Sequence, residues 1–361
     1  MKLIHCSDLH LDAKMETGLD PIRARERRVE LLMAFDRVVK AAIEQHVEAV
    51  LIAGDLFDTA RASEKTRRHV GQTVVDHPEL RFVYVAGNHD GQIPPLFPSD
   101  EPPANWHDLG GEGWSSVRLS ENVVVSGTSA LERPGIFDML PHFADDFHIV
   151  MLHGQVVRGG EVGADLVPLK ALRDRGIDYL ALGHEHDYRC EALDDKGLWA
   201  YAGCPEGRGF DECGIKGCIL LDTDAPIENR VTFLPQNDRT LHELRVVLNG
   251  CESFGDVLRR VEDAVEHIPG KDMVKVVLGG ELSPEVVRDV VHLRKVLSDR
   301  FYFARVKDEC RLLVRAEDYM NDISLKGEFI RTVLSSSMSD EQKQRTIECG
   351  LRALRGEEVD A

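Results

Sequence analysis

The stretch Phe82–Asp90, FVYVAGNHD, decides the fold of this chain, because it joins a predicted buried strand to a cluster of polar side chains. Phe82 to Val85 are good β-formers, and a continuous apolar run is typical of a strand that is buried on both faces. Gly87 permits a sharp turn at the carboxyl end of that strand, where open α/β sheets place their chemistry. Gly-Asn also occurs in plain turns, so the stretch must be weighed together with the other strand ends.

The residues before this stretch repeat the same pattern twice. Lys2–Cys6 is a short apolar strand that runs into Asp8 and His10, and Ala49–Ala53 is a buried strand that runs into Asp55. Asp20-Pro21 is a cap followed by proline, which predicts the start of a helix, and a second helix is expected near 63–76. This β-α-β-α-β order predicts a layered α/β domain.

The chain after this stretch continues the sheet. Residues 91–105 carry five prolines and form a loop, either an access lid or plain surface. Strands are predicted at Val123–Val125, at Ile149–Leu152 before His153, and at Tyr179–Leu182 before His184 and His186. Shorter strand-like runs at 198–202, 217–221 and 230–234 suggest that the second half of the sheet is antiparallel.

The pattern changes near 237, which predicts three parts: a catalytic domain at 1–237, a small α+β cap domain at 238–320 and a helical tail at 321–361. The cap pattern includes a helix opened by Ser283-Pro284. The tail reads as helices at 322–335 and 340–355, and Ser339-x-x-Gln342 is a capping box for the second. Apolar residues at near-helical spacing in the first tail helix fit either packing on the protein itself or a groove for a partner helix (Ile323, Leu325, Phe329, Ile330, Val333 and Leu334).

Composition restricts the class of protein. The net charge is −19, and residues 1–239 carry 25 Lys/Arg against 40 Asp/Glu, which is a poor surface for tight, unaided nucleic-acid binding. No run approaches the ~20 apolar residues that a membrane span needs. The first residues do not form a signal peptide, and the eight cysteines show no paired framework, so we expect free thiols in the cytoplasm.

Five strand ends present polar groups that can converge on one rim of the sheet. An Asp-x-His pair places both side chains on one face of an extended segment, because the side-chain period is two. Such a set of carboxylate, imidazole and amide ligands suits Mn²⁺, Fe²⁺ or Zn²⁺. A carboxylate between two half-sites can bridge two cations ~3.5–4 Å apart, an arrangement used for displacement at phosphorus. The candidate residues are Asp8, His10, Asp55, Asn88, His89, Asp90, His153, His184 and His186.

These motifs, in this order, resemble the calcineurin-like metallophosphoesterase family over roughly residues 1–235. The family is a layered β-sandwich flanked by helices. The resemblance implies that one metal is held by Asp8, His10, Asp55 and His186, and the other by Asp55, Asn88, His153 and His184. It further implies that His89 contacts the scissile phosphate and protonates the leaving oxygen, with Asp90 orienting it.

Within the superfamily the chain is most similar to SbcD-type DNA exonuclease subunits. The similarity rests on Gly54–Asp58, on the loop Tyr201–Glu206 with Arg208 and Lys216-Gly217, and on the small cap followed by the tail. Asp12 stands where family members often have glycine, and the spacing from Asn88 to His153 is compact.

Two functions remain open at the level of sequence. The first is a Mn²⁺-dependent DNA nuclease that partners an SbcC-like coiled-coil ATPase, with the terminal helices docking on the base of the coiled coil. The second is a phosphodiesterase or phosphatase that acts on small molecules or phosphoproteins, which the acidic charge favours. A non-enzymatic adaptor is disfavoured because no ligand position is lost. DNA, the ATPase and a second copy of the chain are the expected partners, and a membrane is not.

Overall fold

The computed structural model describes residues 1–15, 18–59, 62–91, 96–97, 101–159, 161, 163–314 and 316–354. Residues 92–95 and 98–100 of the predicted loop, and residues 355–361 of the predicted tail, lie outside this set. Two compact units are present, Met1–Thr240 and Leu241–Ala361. The boundary near 237 and a tail separate from the cap stay predictions.

The first unit contains two six-stranded sheets. One has the strand order β14-β13-β1-β2-β3-β4, and the other has the order β11-β12-β10-β7-β6-β5. A two-stranded ribbon, β8-β9, accompanies them. The strands are β1 (Lys2–Cys6), β2 (Ala49–Ala53), β3 (Arg81–Val85), β4 (Trp106–Asp108), β5 (Ser115–Ser120), β6 (Val123–Gly127), β7 (Phe147–His153), β8 (Gln155–Val157), β9 (Leu166–Pro168), β10 (Tyr179–Gly183), β11 (Arg189–Ala192), β12 (Leu198–Tyr201), β13 (Gly217–Asp222) and β14 (Val231–Pro235).

The central strands are apolar on both faces because each sheet is covered on both sides. Leu51 and Val83 of the first sheet share a buried core with Met151 and Ala181 of the second. The outer face of the first sheet packs on helices α1 (Pro21–Glu44) and α2 (Glu64–Asp76). The outer face of the second packs on the short helix α3 (Leu169–Leu172) and neighbouring loops. The predicted layered α/β fold is therefore confirmed.

The inner strands of both sheets are parallel, which brings their carboxyl ends together. β1, β2 and β3 pair in parallel, and so do β7 and β10. The prediction of an antiparallel second half is wrong for 198–202, since β12 runs parallel to β10. It is right for β13, which is antiparallel to both β1 and β14. The direction of a short apolar strand is set by the path of its connections, which its own residues do not encode.

The predicted helix start at Asp20-Pro21 is confirmed. The Asp20 carboxylate accepts hydrogen bonds from the backbone N–H groups of Ile22 and Arg23, each at 3.0 Å, and so satisfies two donors of the first turn. Ser63 caps α2 in the same way.

The second unit has a three-stranded parallel sheet, a two-stranded ribbon and five helices within its described residues. Its strands are β15 (Leu241–Val247), β16 (Met273–Gly279), β17 (Glu281–Leu282), β18 (Phe303–Asp308) and β19 (Arg311–Leu312), and its helices are α4 (Phe254–Ala264), α5 (Val290–Arg300), α6 (Ala316–Tyr319), α7 (Leu325–Leu334) and α8 (Asp340–Leu354). The prediction that Ser283-Pro284 opens a helix is wrong, because α5 begins at Val290 with Asp289 as its cap. The predicted capping box of α8 is confirmed by hydrogen bonds between Ser339 and Gln342 in both directions.

The apolar stripe of the first tail helix divides into two groups. Ile330 and Val333 are buried in a cluster with Ile347 and Leu351 of α8, so this part packs on the unit itself. Ile323 is 100% exposed and Leu325 is 73% exposed. Only the beginning of the stripe is therefore open to a partner.

Across the described ranges, we find no helix with both the length and the apolar character needed to cross a membrane.

Candidate metal centre

The polar residues predicted from five strand ends lie on one rim of the first unit. Asp8 and His10 follow β1, Asp55 follows β2, and Asn88 follows β3. His153 ends β7, and the segment with His184 and His186 follows β10. The two sheets contribute to the same rim because their parallel inner strands end on the same side.

Asp55 lies at the middle of this group. Its Oδ2 atom is 3.3 Å from Nε2 of His153 and 3.6 Å from Nε2 of His10. Its Oδ1 atom accepts a hydrogen bond of 2.9 Å from the backbone N–H of His89. Burial raises the pKa of Asp55, but hydrogen bonding and charge from His153 outweigh burial and lower the pKa to about 2. Asp55 is therefore a carboxylate shared by histidines from two sheets.

His153 is held on both ring nitrogens. Nδ1 lies 2.9 Å from the carbonyl oxygen of Ala53, and Nε2 lies 3.0 Å from Oδ1 of Asn88. Burial lowers the pKa of His153, yet the carboxylates of Asp55 and Asp8 raise it to about 9 overall. The surrounding buried carboxylates therefore favour positive charge at this position.

His10 and His186 face each other across the rim. Their Nε2 atoms are 3.3 Å apart. Both atoms lie near Oδ1 of Asp8, at 4.0 Å from His10 and 3.9 Å from His186. Two imidazole nitrogens and a carboxylate oxygen thus surround one point.

The donor set fits metal ions. Asp8, His10 and His186 offer ligand atoms within 4.8 Å of one another, and so do Asp8, Asp55 and His153. The carboxylates of Asp8 and Asp55 are 0% and 3% exposed, and buried charges in proteins are paired or coordinate metals. Oxygen and imidazole donors without thiolate suit Mn²⁺, Fe²⁺ or Zn²⁺.

His184 takes a different position from the other predicted ligands. Its backbone N–H donates to both carboxylate oxygens of Asp8, at 3.0 and 3.1 Å. Its ring stands edge-on to His153 with centroids 5.5 Å apart. Within the described residues, its ring nitrogens are not part of the compact donor triplets.

The backbone of the rim is strained. Asp8, His10, Asp55 and His184 have positive φ values of 52°, 43°, 50° and 112°. Non-glycine residues rarely adopt this conformation, and it persists where surrounding structure enforces it, which is common at functional sites. Asp12 also has a positive φ of 72°.

Two glycines allow the ligand loops to approach each other. A Cβ atom on Gly87 would lie 2.2 Å from Oδ1 of Asp55, and one on Gly54 would lie 2.2 Å from Nδ1 of His153. Both distances are shorter than any tolerated contact, so a side chain at either position would displace a predicted ligand.

In the structure, Asp90 makes hydrogen bonds with the backbone. Its carboxylate is fully buried and accepts hydrogen bonds from the backbone of Gly87 and Phe57, both at 2.9 Å. Nδ1 of the exposed His89 ring instead lies 2.9 Å from the carbonyl oxygen of Asp58. Asp90 therefore joins the loop after β3 to the loop after β2, and its role in orienting His89 stays a prediction.

Three further residues at the site were not selected as site residues from the sequence. Asp58, Arg208 and Glu212 form a chain of ion pairs behind His10 and His186. Hydrogen bonds from His186 and Arg208 lower the pKa of Glu212 by more than burial raises it. Asp58 stands in the Gly54–Asp58 motif and could have been found there, whereas nothing local marks Glu212.

Several known proteins are similar to this chain in sequence. Residues 1–188 match the family described as calcineurin-like phosphoesterase. The chain is 28% identical to the uncharacterized metallophosphoesterase YhaO of Bacillus subtilis, over 78% of this chain and 72% of that protein. It is 26% identical to the DNA double-strand break repair protein Mre11 of Sulfolobus acidocaldarius, over 94% of this chain and 87% of that protein. It is 22% identical to the SbcD component of the nuclease SbcCD of Escherichia coli, over 96% of this chain and 96% of that protein.

Proposed function

The chain belongs to the calcineurin-like phosphoesterase family, and we propose that it is a two-metal phosphodiesterase that cleaves DNA as the nuclease component of an SbcCD-like complex. The observation that carries the two-metal part is the position of Asp55 Oδ2, which faces histidines of both half-sites at 3.3 and 3.6 Å. A single carboxylate so placed can serve two cations.

We assign the residues to two half-sites that share Asp55. The first half-site consists of Asp8, His10, Asp55 and His186, and the second consists of Asp55, Asn88, His153 and His184. Two divalent ions, Mn²⁺ with Fe²⁺ or Zn²⁺ as alternatives, would supply Lewis-acid stabilisation of charge on the phosphoryl oxygens. His184 is assigned to the second half-site because its ring lies next to that of His153, with centroids 5.5 Å apart.

His89 is assigned as the general acid. Its ring is exposed at the rim, and its centroid is 4.9 Å from that of His10, so it lies beside the metal ligands. The contact of Nδ1 with the Asp58 carbonyl fixes the ring if Nδ1 carries a proton. A positioned imidazole of this kind can protonate the leaving oxygen of a phosphodiester.

The DNA substrate is supported by the relatives and not by the centre itself. The alignments with Mre11 and with the SbcD component of SbcCD cover 94% and 96% of this chain, so they extend beyond the first unit. A phosphoesterase that shared only the catalytic fold would not require similarity in the second unit.

A partner surface is supported at the start of the tail. Met320, Ile323 and Leu325 are 68%, 100% and 73% exposed within six residues. Exposed apolar side chains that are grouped together are typical of interaction sites, and an amphipathic coiled-coil helix of an SbcC-like ATPase is the proposed occupant.

A phosphatase acting on small molecules or phosphoproteins is the second candidate, favoured by the charge of the first 239 residues, 25 Lys/Arg against 40 Asp/Glu. Assays with Mn²⁺-loaded protein distinguish the two. We expect hydrolysis of bis(nitrophenyl) phosphate and of linear duplex DNA, with nitrophenyl monophosphate and phosphopeptides much poorer substrates. A preference for the monoester or the phosphopeptide would overturn the nuclease proposal, and Asp55→Asn protein serves as the control for contaminating nucleases.

A further inference from the structure

Behind His10 and His186, the residues Asp58, Arg208 and Glu212 form a continuous chain of ion pairs, named here the carboxylate chain. Arg208 occupies its centre. Its Nη1 lies 3.1 Å from Oδ1 of Asp58, and its Nη2 lies 2.6 Å from Oε1 of Glu212. The side chains of Glu212, Arg208 and Asp58 are 4%, 20% and 24% exposed, so these charges are screened little by solvent.

Glu212 determines which nitrogen of His186 can bind an ion. Its Oε1 lies 2.8 Å from Nδ1 of His186. Nη2 of Arg208 also lies near this nitrogen, but at the longer distance of 3.4 Å. Because the closer group is an ionised carboxylate, which only accepts hydrogen bonds, Nδ1 carries the proton and Nε2 is left with its lone pair. Nε2 is the atom that faces His10 and Asp8.

The backbone of His186 is held from the same loop. Its carbonyl oxygen accepts from Nζ of Lys216 at 2.9 Å and from the backbone N–H of Cys204 at 3.3 Å. The segment from Cys204 to Lys216 therefore fixes His186 at both its ring and its main chain.

In the second half-site, the contact behind the ring of His153 is with a neutral group. Nδ1 of His153 faces the carbonyl oxygen of Ala53, which orients the ring but carries no net charge. On the first half-site, His10 also has a carboxylate behind it, since its Nδ1 is 3.5 Å from Oδ1 of Asp58. The imidazoles of His186 and His10 thus have a carboxylate behind them, whereas that of His153 has a backbone carbonyl.

We propose that the carboxylate chain makes the two metal positions unequal, and that Glu212 is the positioning residue that gives the His10–His186 position the higher affinity. The inference rests on the proposed two-metal centre. Its reason is that a partner behind a metal-binding imidazole fixes the tautomer and raises the basicity of the ligand nitrogen, and a charged carboxylate does the second more strongly than a neutral backbone carbonyl. Asp58, at a longer distance and shared with Arg208, contributes less.

Calorimetric titration of metal-free, full-length protein with Mn²⁺ tests this proposal. We expect two binding events in the wild type. Glu212→Gln, which keeps the shape and an acceptor oxygen but removes the charge, should weaken the tighter event by about 10-fold, and Glu212→Ala by up to about 100-fold. The weaker event should change much less, and Glu212→Asp should restore part of the affinity.

Asp211→Asn is the matched control, because Asp211 is an exposed carboxylate next to Glu212 in the same loop. It should leave both events unchanged. If Glu212 variants fail to fold, as judged by tryptophan fluorescence, Asp58→Asn must weaken the tighter event selectively for the proposal to stand. Equal weakening of both events, or an equal effect of Asp211→Asn, would overturn it. A wild-type protein that binds no ion would instead refute the metal centre itself.

Discussion

Oδ2 of Asp55 lies 3.3 Å from Nε2 of His153, and this contact joins the loop after β2 of one sheet to the end of β7 of the other. The same oxygen is 3.6 Å from Nε2 of His10. The two half-sites are therefore connected through one carboxylate.

Asp55→Asn should disrupt both half-sites together. The amide keeps the size of the side chain but removes the charge that both would share. We expect the protein to retain at most one Mn²⁺ after loading and dialysis, and to lose phosphodiesterase activity by more than the ~10–100-fold typical of outer-shell changes. Metal analysis by mass spectrometry checks the first expectation. Asp36→Asn, which removes a carboxylate that pairs with His69 away from the site, is the control. Retention of two ions would refute the bridging assignment.

The variant His89→Ala tests whether His89 is a general acid or a metal ligand. If His89 is the general acid, the variant should bind two ions and lose turnover on DNA by on the order of 10²–10⁴. The loss should be much smaller for a nitrophenyl diester, because that leaving group needs little protonation. The alternative, that His89 is a metal ligand, has structural support, since His10, Asp58 and His89 also offer donor atoms within 4.8 Å of one another. Loss of an ion in this variant would therefore show that His89 is a ligand.

Gly87→Ala should damage the centre through sterics alone. The added Cβ would lie 2.2 Å from Oδ1 and 2.5 Å from the backbone nitrogen of Asp55, so the loop or the ligand must move. We expect weaker Mn²⁺ binding and at least about 10-fold lower activity, since sites lose function when ligands shift by ~0.5 Å. Gly113→Ala is the matched control, because the nearest atom there is 3.7 Å away on the flexible Arg133 side chain. Similar behaviour of both variants would argue against this packing explanation.

His5 should make the first unit less stable in acid. Its buried ring contacts the hydroxyl of Tyr179 at 2.8 Å and the carbonyl of Leu182 at 3.2 Å. Burial lowers the pKa of His5 from 6.5 to about 3, although the hydrogen bond with Leu182 opposes this. Between these values the unfolded chain binds the proton and the folded chain does not. The contribution of His5 to the free energy of unfolding is therefore complete above pH ~6.5 and is lost as the pH falls toward 3.

His5→Gln removes this titration and should flatten the pH dependence. From about pH 7.5 to pH 5, the unfolding free energy of the wild type should fall by about 2 kcal/mol more than that of the variant. Urea unfolding of chelator-treated protein measures this difference. Tryptophan fluorescence reports on the first unit alone, because all 3 tryptophans lie there, at positions 106, 114 and 199. Parallel pH profiles would contradict the assignment.

The exposed apolar residues at the start of the tail should bind a partner without supporting the fold. Replacing Met320, Ile323 and Leu325 by serine should abolish co-purification with the cognate coiled-coil ATPase and leave bis(nitrophenyl) phosphate hydrolysis intact. Serine at Val287 and Val291, which are 52% and 69% exposed in the same unit, is the control and should retain the ATPase. An undiminished pull-down by the first variant would place the ATPase elsewhere.

Much of the centre could be predicted from the sequence because its signals are local. Each donor follows an apolar strand within a few residues, as in Val85 to Asn88 or Gly183 to His184. Parallel strands end on the same side of a sheet. The apolar runs and the polar residues that follow them were therefore enough to predict that these residues lie on one rim. The start of α1 at Pro21 was predictable for the same reason, since a cap acts on its own first turn.

Other features of the centre depend on groups that are distant along the chain, and only the tertiary structure decided them. Asp90 stands next to His89, yet its carboxylate satisfies buried N–H groups of two different loops, because buried donors must be paired wherever the chain brings them. Glu212 reaches His186 only through the path of the loop after Cys204. The sequence by itself determined which side chains stand at the strand ends. The packing of two sheets and their loops decided which of these groups touch, because contacts between distant segments depend on connections and burial that no local pattern encodes.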